Sequence, residues 1–175
     1  MPTVQGAVNY LNENAHIIFK DTKSMVYVGH RSDTHPWWRV EFASAIGNPA
    51  ISIMDIQQTN LDQSKGVVLN CVDFILGDIR KPNDLKGGYE LVFWDEGPEH
   101  VSKVDALVTI EMLMKKNKHV LISCPWGYQA QGSGPSDPEF HHWAPMPEDF
   151  ESIGMTAMTF GTMFPGGHGN LIAWA

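Results

Sequence analysis

The stretch VYVGHRSDTHPWW, residues 26–38, decides how the first half of this chain is expected to fold. The apolar run 26–28 leads directly into Gly29, and Pro36 suits the first turn of a helix. A strand that ends at a glycine and leads into a helix is typical of nucleotide-binding α/β domains, because glycine lets the backbone approach a ligand. Gly29 is the only glycine in this stretch, and the turn positions 30–35 are otherwise polar or charged.

Outward from this stretch, apolar runs and helical periodicities alternate along the chain. The apolar runs predict strands at 24–28, 50–56, 72–76, 89–94, 119–123, 155–160 and 171–174. The periodic segments predict helices over 4–18, 36–46, 98–116 and 147–153. This alternation predicts an α/β fold with a doubly wound, mostly parallel sheet of seven strands. The last two strands are joined by a Pro/Gly-rich turn and predict an antiparallel hairpin at the edge.

Composition limits the class of protein. The 175 residues suit a single domain over 1–175, and 43% hydrophobic with 18% charged residues is typical of a soluble globular protein. The net charge of −8 gives no overall attraction for phosphate backbones, so nucleic acid is not expected as a partner. Neither a signal peptide nor a membrane-spanning run is recognised, which predicts a cytoplasmic protein with reduced cysteines at 71 and 124. Homo-oligomerisation is left open.

Acidic residues follow three of the predicted strands. Asp55 closes the second strand, Asp78 follows the third, and Asp95 and Glu96 follow the fourth. Ligands of open α/β sheets bind beyond the carboxyl ends of the strands, where an acidic side chain can accept both hydroxyls of a ribose. The same residues also suit purely structural roles, because Asp forms turns and acidic groups favour helix N-termini.

With these residues in place, the chain resembles the class I S-adenosylmethionine (SAM)-dependent methyltransferases. The similarity covers nearly the whole chain and includes YELVFWDEGPEHV (89–101), HVLISCPWGY (119–128) and HHWAPMPEDFESIGM (141–155). It implies a Rossmann-like seven-stranded sheet and SAM as the cofactor. By the same resemblance, Asp55 would hold the ribose hydroxyls and Asp78 would lie beside the adenine.

The resemblance also implies roles for two acidic residues near the reacting methyl group, and this chain departs from the family at one motif. Asp95 and Glu96 would face the methionine part of the cofactor and the acceptor. The first motif of the family is an acidic residue, one residue and then Gly-x-Gly-x-Gly, whereas this chain has Tyr27, Gly29, Arg31 and Asp33 at these positions. Charge complementarity suggests that Arg31 pairs with the methionine carboxylate and Asp33 with its ammonium group.

Three histidines are candidates for the base that removes a proton from the acceptor. They are His100, His141 and His142, and the unperturbed pKa of histidine suits neutral pH. The expected reaction is in-line methyl transfer to a small-molecule or glycan-type acceptor. The long segment 128–146 is expected to be functional and could cover the site, and Trp126 and Trp143 could line it.

Three alternative functions stay open at this stage. A catalytically inactive methyltransferase-like binding or partner subunit fits the altered glycine motif. A nicotinamide or nucleotide enzyme lacks support, because neither G-x-G-x-x-G nor G-K-[ST] occurs. A metal enzyme could use His30, Asp33 and His35, or the adjacent His141 and His142, but neither H-E-x-x-H nor a cysteine pair occurs, so no metal site is predicted.

Overall fold

The structure is a computed structural model, and it describes residues 2–29, 42–65, 71–81, 83–85, 88–165, 167 and 169–175. The predicted roles of Arg31 and Asp33, and most of the predicted helix 36–46, lie outside the described residues. Residues 42–45 of that predicted helix are helical. Within the described ranges, no helix combines the length and the apolar character that crossing a membrane would require.

Seven strands form one mixed sheet, as the sequence predicts. The strands are β1 (Ser24–Val28), β2 (Ala50–Asp55), β3 (Cys71–Leu76), β4 (Leu91–Asp95), β5 (His119–Pro125), β6 (Thr156–Phe160) and β7 (Asn170–Trp174). Their order in the sheet is β3-β2-β1-β4-β5-β7-β6. Strands β1 to β5 run parallel, while β7 pairs antiparallel with both β5 and β6. The doubly wound, Rossmann-like sheet with a C-terminal antiparallel hairpin is therefore confirmed.

The helices agree with the sequence-based prediction in part. They are α1 (Pro2–Ile18), α2 (Gln58–Ser64), α3 (Lys103–Lys116) and α4 (Pro147–Glu151), and Pro98–His100 form one turn of 3-10 helix. Helix α2 was not predicted from the sequence, since its residues are mainly polar and only Leu61 and Ser64 among them are buried.

The prediction of one continuous helix over 98–116 is wrong. The backbone at Val101 is extended, with φ −123° and ψ 168°, and this ends the 3-10 turn. Helix α3 then begins after Ser102, whose hydroxyl accepts a hydrogen bond from the Asp105 backbone N–H. A serine in this role satisfies an N–H group that has no partner within the helix, so it favours a new helix start at this point.

Apolar side chains cover both faces of the sheet. On one face, α1 packs through Leu11 and Ala15 against a cluster that includes Met25 and Phe93. On the other face, α3 packs through Ile110 against a cluster that includes Val26, Val92 and Trp94. Because neighbouring strand residues point to opposite faces, both clusters draw on the same central strands. The carboxyl ends of the parallel strands meet at one edge of the packed sheet, which is where ligands bind in such folds.

Candidate functional site

A cavity of about 770 Å³ opens at the carboxyl ends of the parallel strands. Its size falls within the range typical of small-molecule sites. The walls come from the ends of β1, β2, β4 and β5, from the turn after β3, and from the long segment after β5. The sequence-predicted residues that line it are Gly29, Asp55, Asp78, Asp95, Glu96, His100, His141 and His142. The fold therefore brings together all the predicted site residues that the structure describes.

Gly29 allows the ends of β1 and β4 to approach closely. Its φ of +86° lies in the left-handed region, and a Cβ at this position would lie 2.5 Å from the Asp95 carbonyl oxygen. The Gly29 N–H donates a hydrogen bond to the Met54 carbonyl at 3.1 Å, which extends the pairing of β1 with β2. Both the dihedral angle and the contact require glycine at this wall of the cavity.

Tyr27 occupies the position at which the resembled family has an acidic residue. Its hydroxyl donates a hydrogen bond to the Asp95 carboxylate, and both residues are buried. The ring also packs edge-on against Phe93, with ring centroids 5.0 Å apart. The position therefore still carries a polar group, and this group holds Asp95 at the end of the adjacent strand. From the sequence, Tyr27 was only a departure from the motif, and this pairing was not predicted.

Asp55 has a structural role and also lines the cavity. One of its carboxylate oxygens accepts hydrogen bonds from the Gln57 backbone N–H at 2.7 Å and from the Asn60 side chain at 3.1 Å. The first bond closes a local turn, as expected for an Asp with a purely structural role. The second bond depends on α2, which was not predicted. Together they hold the Asp55 carboxylate in place at the cavity wall.

Asp78 forms a forked ion pair with Arg80. The Arg80 guanidinium donates from Nε and Nη2 to the Asp78 carboxylate at 2.8–3.1 Å, and the Arg80 backbone N–H adds a bond of 3.0 Å. The hydrogen bonds from the Arg80 side chain lower the pKa of Asp78. Arg80 and Ile79 line the same part of the cavity, and neither was predicted from the sequence.

Glu96 lines the cavity and has a left-handed backbone conformation, with φ of +47°. Its carboxylate accepts a hydrogen bond of 3.3 Å from the Asn170 side chain at the start of β7. Its backbone N–H donates to the Ser123 carbonyl of β5 at 2.8 Å. Left-handed conformations of residues other than glycine are uncommon and concentrate at functional sites.

Two of the three predicted histidines form a compact cluster with Glu99. The rings of His100 and His141 meet edge-on with centroids 4.7 Å apart, and Glu99 is fully buried beside them. Burial raises the pKa of Glu99, and the charge of Glu96 raises it further. Burial and the neighbouring His100 lower the pKa of His141 to about 4. All three residues are of types that ligate divalent metals, and their candidate ligand atoms lie within 4.8 Å of one another.

His142 and the two tryptophans have different environments. His142 is exposed, lines the cavity and packs its ring edge-on against Phe140, with centroids 5.1 Å apart. Trp143 is instead buried, and its indole N–H donates to the Pro98 carbonyl at 2.9 Å. Neither Trp126 nor Trp143 is among the described residues that line the cavity, so the expectation that they line it is not met.

The segment 128–146 forms one wall of the cavity. Gln129, Gln131 and the run Pro135–Glu139 line it together with His141 and His142. The segment folds on itself, because Asp137 accepts hydrogen bonds from the Ser133 and Glu139 backbone N–H groups at 2.8 and 2.9 Å. The segment therefore lines the cavity, and its functional role there stays a prediction.

Comparison with known proteins finds solved structures with a similar fold but no match at the level of sequence families. No family model and no curated protein sequence matches the chain. Magnesium protoporphyrin IX methyltransferase (ChlM) from Synechocystis PCC 6803 with bound SAM matches at TM-score 0.64 and 14% identity, over 98% of this chain and 76% of that chain. The sugar N-methyltransferase KedS8 from Streptoalloteichus sp ATCC 53650 matches at TM-score 0.63 and 6% identity, over 95% of this chain and 85% of that chain.

A third match differs in how much of the other protein it covers. An O-methyltransferase family protein from Burkholderia thailandensis matches at TM-score 0.60 and 14% identity, over 97% of this chain. The chain spans 55% of the length of that protein. At these identities the comparisons establish that the chain has the fold of these methyltransferases.

Proposed function

We propose that this chain is a SAM-dependent methyltransferase that acts on a small-molecule or glycan-type acceptor by in-line methyl transfer. The observation that carries the proposal is one cavity lined by Asp55, Asp78, His141 and His142 together. The methyltransferase fold and the SAM bound to ChlM support it. In this proposal the whole chain, 1–175, acts as one methyltransferase-like domain.

The residues at the ends of β1 to β3 fit an adenosyl group. Gly29 lines the cavity, and its lack of a Cβ lets the end of β1 lie against the Asp95 carbonyl at the end of β4. Asp55 presents a fixed carboxylate suited to ribose hydroxyls, and Ile79 and the Asp78–Arg80 pair offer apolar and polar contacts for a purine. Bound SAM would supply an electrophilic methyl group on a positively charged sulfur.

The charge of the cavity suits such a cofactor. Asp95 and Glu96 stand near one another at the end of β4, and both charges raise the pKa of the buried Glu99. A negative potential of this kind attracts a sulfonium cation and repels anionic acceptors. A neutral or cationic acceptor is therefore favoured over a nucleic acid.

His142 is the best placed of the three histidines to take a proton from the acceptor. Its ring is exposed and lines the cavity, whereas His141 is buried with a pKa of about 4. A group with so low a pKa is a weak base at neutral pH. His100 packs against His141 rather than standing alone in the cavity.

Calorimetric titration with S-adenosylhomocysteine tests the cofactor assignment. Asp55→Asn keeps an oxygen that can accept from Gln57 but removes the charge, and we expect binding to weaken about tenfold or more. Asp62→Asn, on the exposed side of α2, is the matched control and should bind as the wild type does. Absence of binding by the wild type at millimolar ligand would refute the proposal.

A turnover assay separates the enzyme from the inactive alternative. SAM-dependent transfer to small hydroxyl, amine or sugar acceptors is expected, with His142→Ala lowering kcat while S-adenosylhomocysteine affinity stays unchanged. Binding of the cofactor without transfer to any acceptor class would instead identify a catalytically inactive binding or partner subunit.

A further inference from the structure

We propose that Glu99, His100 and His141 bind one divalent transition-metal ion in the wall of the cavity. No metal site was predicted from the sequence, because the ligands come from two distant segments and form no recognised motif. Two imidazoles and one carboxylate suit Zn²⁺, Mn²⁺ or Fe²⁺, whereas Mg²⁺ and Ca²⁺ prefer oxygen ligands alone.

The distances within the cluster fit a shared ion. Glu99 Oε1 lies 3.9 Å from His100 Nε2 and 4.0 Å from His141 Nε2, which is too long for hydrogen bonds. Two ligand atoms that each lie about 2.1 Å from an ion are at most about 4.2 Å apart. Both distances are below this limit, and all three ligand atoms lie within 4.8 Å of one another, so side-chain rotations would bring them around one ion.

The Glu99 carboxylate lacks the protein partners that its burial requires. The residue is 0% exposed, and no other residue in the described part of the chain donates a hydrogen bond to either carboxylate oxygen. An isolated buried carboxylate is costly, and proteins compensate such groups by pairing or by metal coordination. The two neighbouring imidazoles are ligands for the same ion.

The backbone holds the two segments of the cluster together. The His142 N–H donates to the Glu99 carbonyl at 2.8 Å, and the Trp143 indole N–H donates to the Pro98 carbonyl at 2.9 Å. These two bonds flank the cluster and join the loop that carries His141 to the 3-10 turn that carries Glu99 and His100. The ligand set is therefore positioned before any ion binds, which is a feature of functional metal sites.

The site is placed to act on an acceptor. His100 and His141 line the cavity while Glu99 lies behind them, so the open positions of an ion would face the cavity. A divalent metal lowers the pKa of a bound hydroxyl and fixes its orientation. This use of the metal rests on the proposed methyl transfer, whereas metal binding itself does not.

Metal titration of the full chain tests the site without cofactor. After removal of metals with a chelator, Co²⁺ absorption and Zn²⁺ calorimetry should show one ion per chain. His141→Ala and Glu99→Gln should each weaken Zn²⁺ and Co²⁺ binding at least tenfold. His142→Ala is the neighbouring control and should change metal affinity less than twofold. Far-UV circular dichroism establishes that each variant is folded.

Two outcomes would overturn the metal site. One is a folded wild type that binds none of Zn²⁺, Mn²⁺ or Co²⁺ at millimolar concentration. The other is metal binding that the Glu99→Gln and His141→Ala variants both retain. S-adenosylhomocysteine is absent from these titrations, so the metal site and the cofactor assignment are tested separately. Loss of the metal-site proposal leaves the cofactor assignment intact, and loss of the cofactor assignment leaves the metal-site proposal intact.

Discussion

Replacing Gly29 with alanine should destabilise the protein through two separable effects. The φ of +86° costs an alanine about 1–2 kcal/mol. The added Cβ would also lie 2.5 Å from the Asp95 carbonyl oxygen, closer than real Cβ atoms approach. Asp95 pairs with Ser123 in the centre of the sheet, so this oxygen cannot move without disturbing β5. Overpacking of this kind costs about 1–3 kcal/mol more.

Gly47→Ala provides the matched control. Gly47 has a similar φ of +93°, but no atom of the described residues lies within 4 Å of the Cβ that alanine would add. The conformational cost and the effect of alanine on the unfolded chain are shared by both variants, so their difference isolates the contact with Asp95.

Urea denaturation and thermal melting measure the effect. We expect Gly29→Ala to lose about 2–5 kcal/mol in total and to exceed Gly47→Ala by about 1–3 kcal/mol. A chain of this length loses about 2–4 °C in Tm for each kcal/mol. Equal destabilisation of the two variants would show that the close approach of β1 and β4 does not determine the need for glycine at this position.

Three further predictions follow from the described contacts. Tyr27→Phe removes the hydroxyl that donates to the buried Asp95 and should cost about 1–3 kcal/mol in urea denaturation, so an unchanged midpoint would contradict the pairing. Arg80 lowers the pKa of Asp78, so the wild type should be more stable than Asp78→Asn above about pH 4. This difference in the free energy of unfolding should shrink as the pH falls through the lowered pKa. A difference that grows in acid would contradict the Asp78–Arg80 pairing. Burial raises the pKa of both thiols, but Cys124 is fully buried whereas Cys71 is partly exposed. A thiol reagent should therefore modify only Cys71 in the native protein and both cysteines in denaturant, and native Cys71→Ser should not react.

The strands, the mostly parallel sheet and the antiparallel hairpin were predicted from local sequence patterns, whereas the order of strands in the sheet comes from the structure. Central parallel strands are covered on both faces, so they appear as continuous apolar runs such as Leu91–Trp94, which the sequence shows directly. Helix α2 was missed for the opposite reason. Its polar residues have weak periodicity, and the segment is helical because it packs against β2 and β3.

The site was predictable where it depends on strand ends. Asp55 and Asp78 follow strands whose carboxyl ends must meet, so their place at the cavity could be inferred from the order of strands along the chain. Their hydrogen-bond partners could not be inferred in this way. Asn60 reaches Asp55 from the unpredicted helix α2, and Arg80 turns back to Asp78 in an irregular segment with no periodic pattern.

The sequence by itself determined the sheet, its terminal hairpin and the acidic strand ends, because hydrophobic periodicity and turn residues act over short distances. Only the tertiary structure decided which side chains meet across those elements. The Tyr27–Asp95 pair joins adjacent strands that are distant in sequence, and His141 reaches Glu99 because two hydrogen bonds hold its loop against the 3-10 turn. Such contacts arise from the packing of separate segments, which residue spacing along a single chain does not encode.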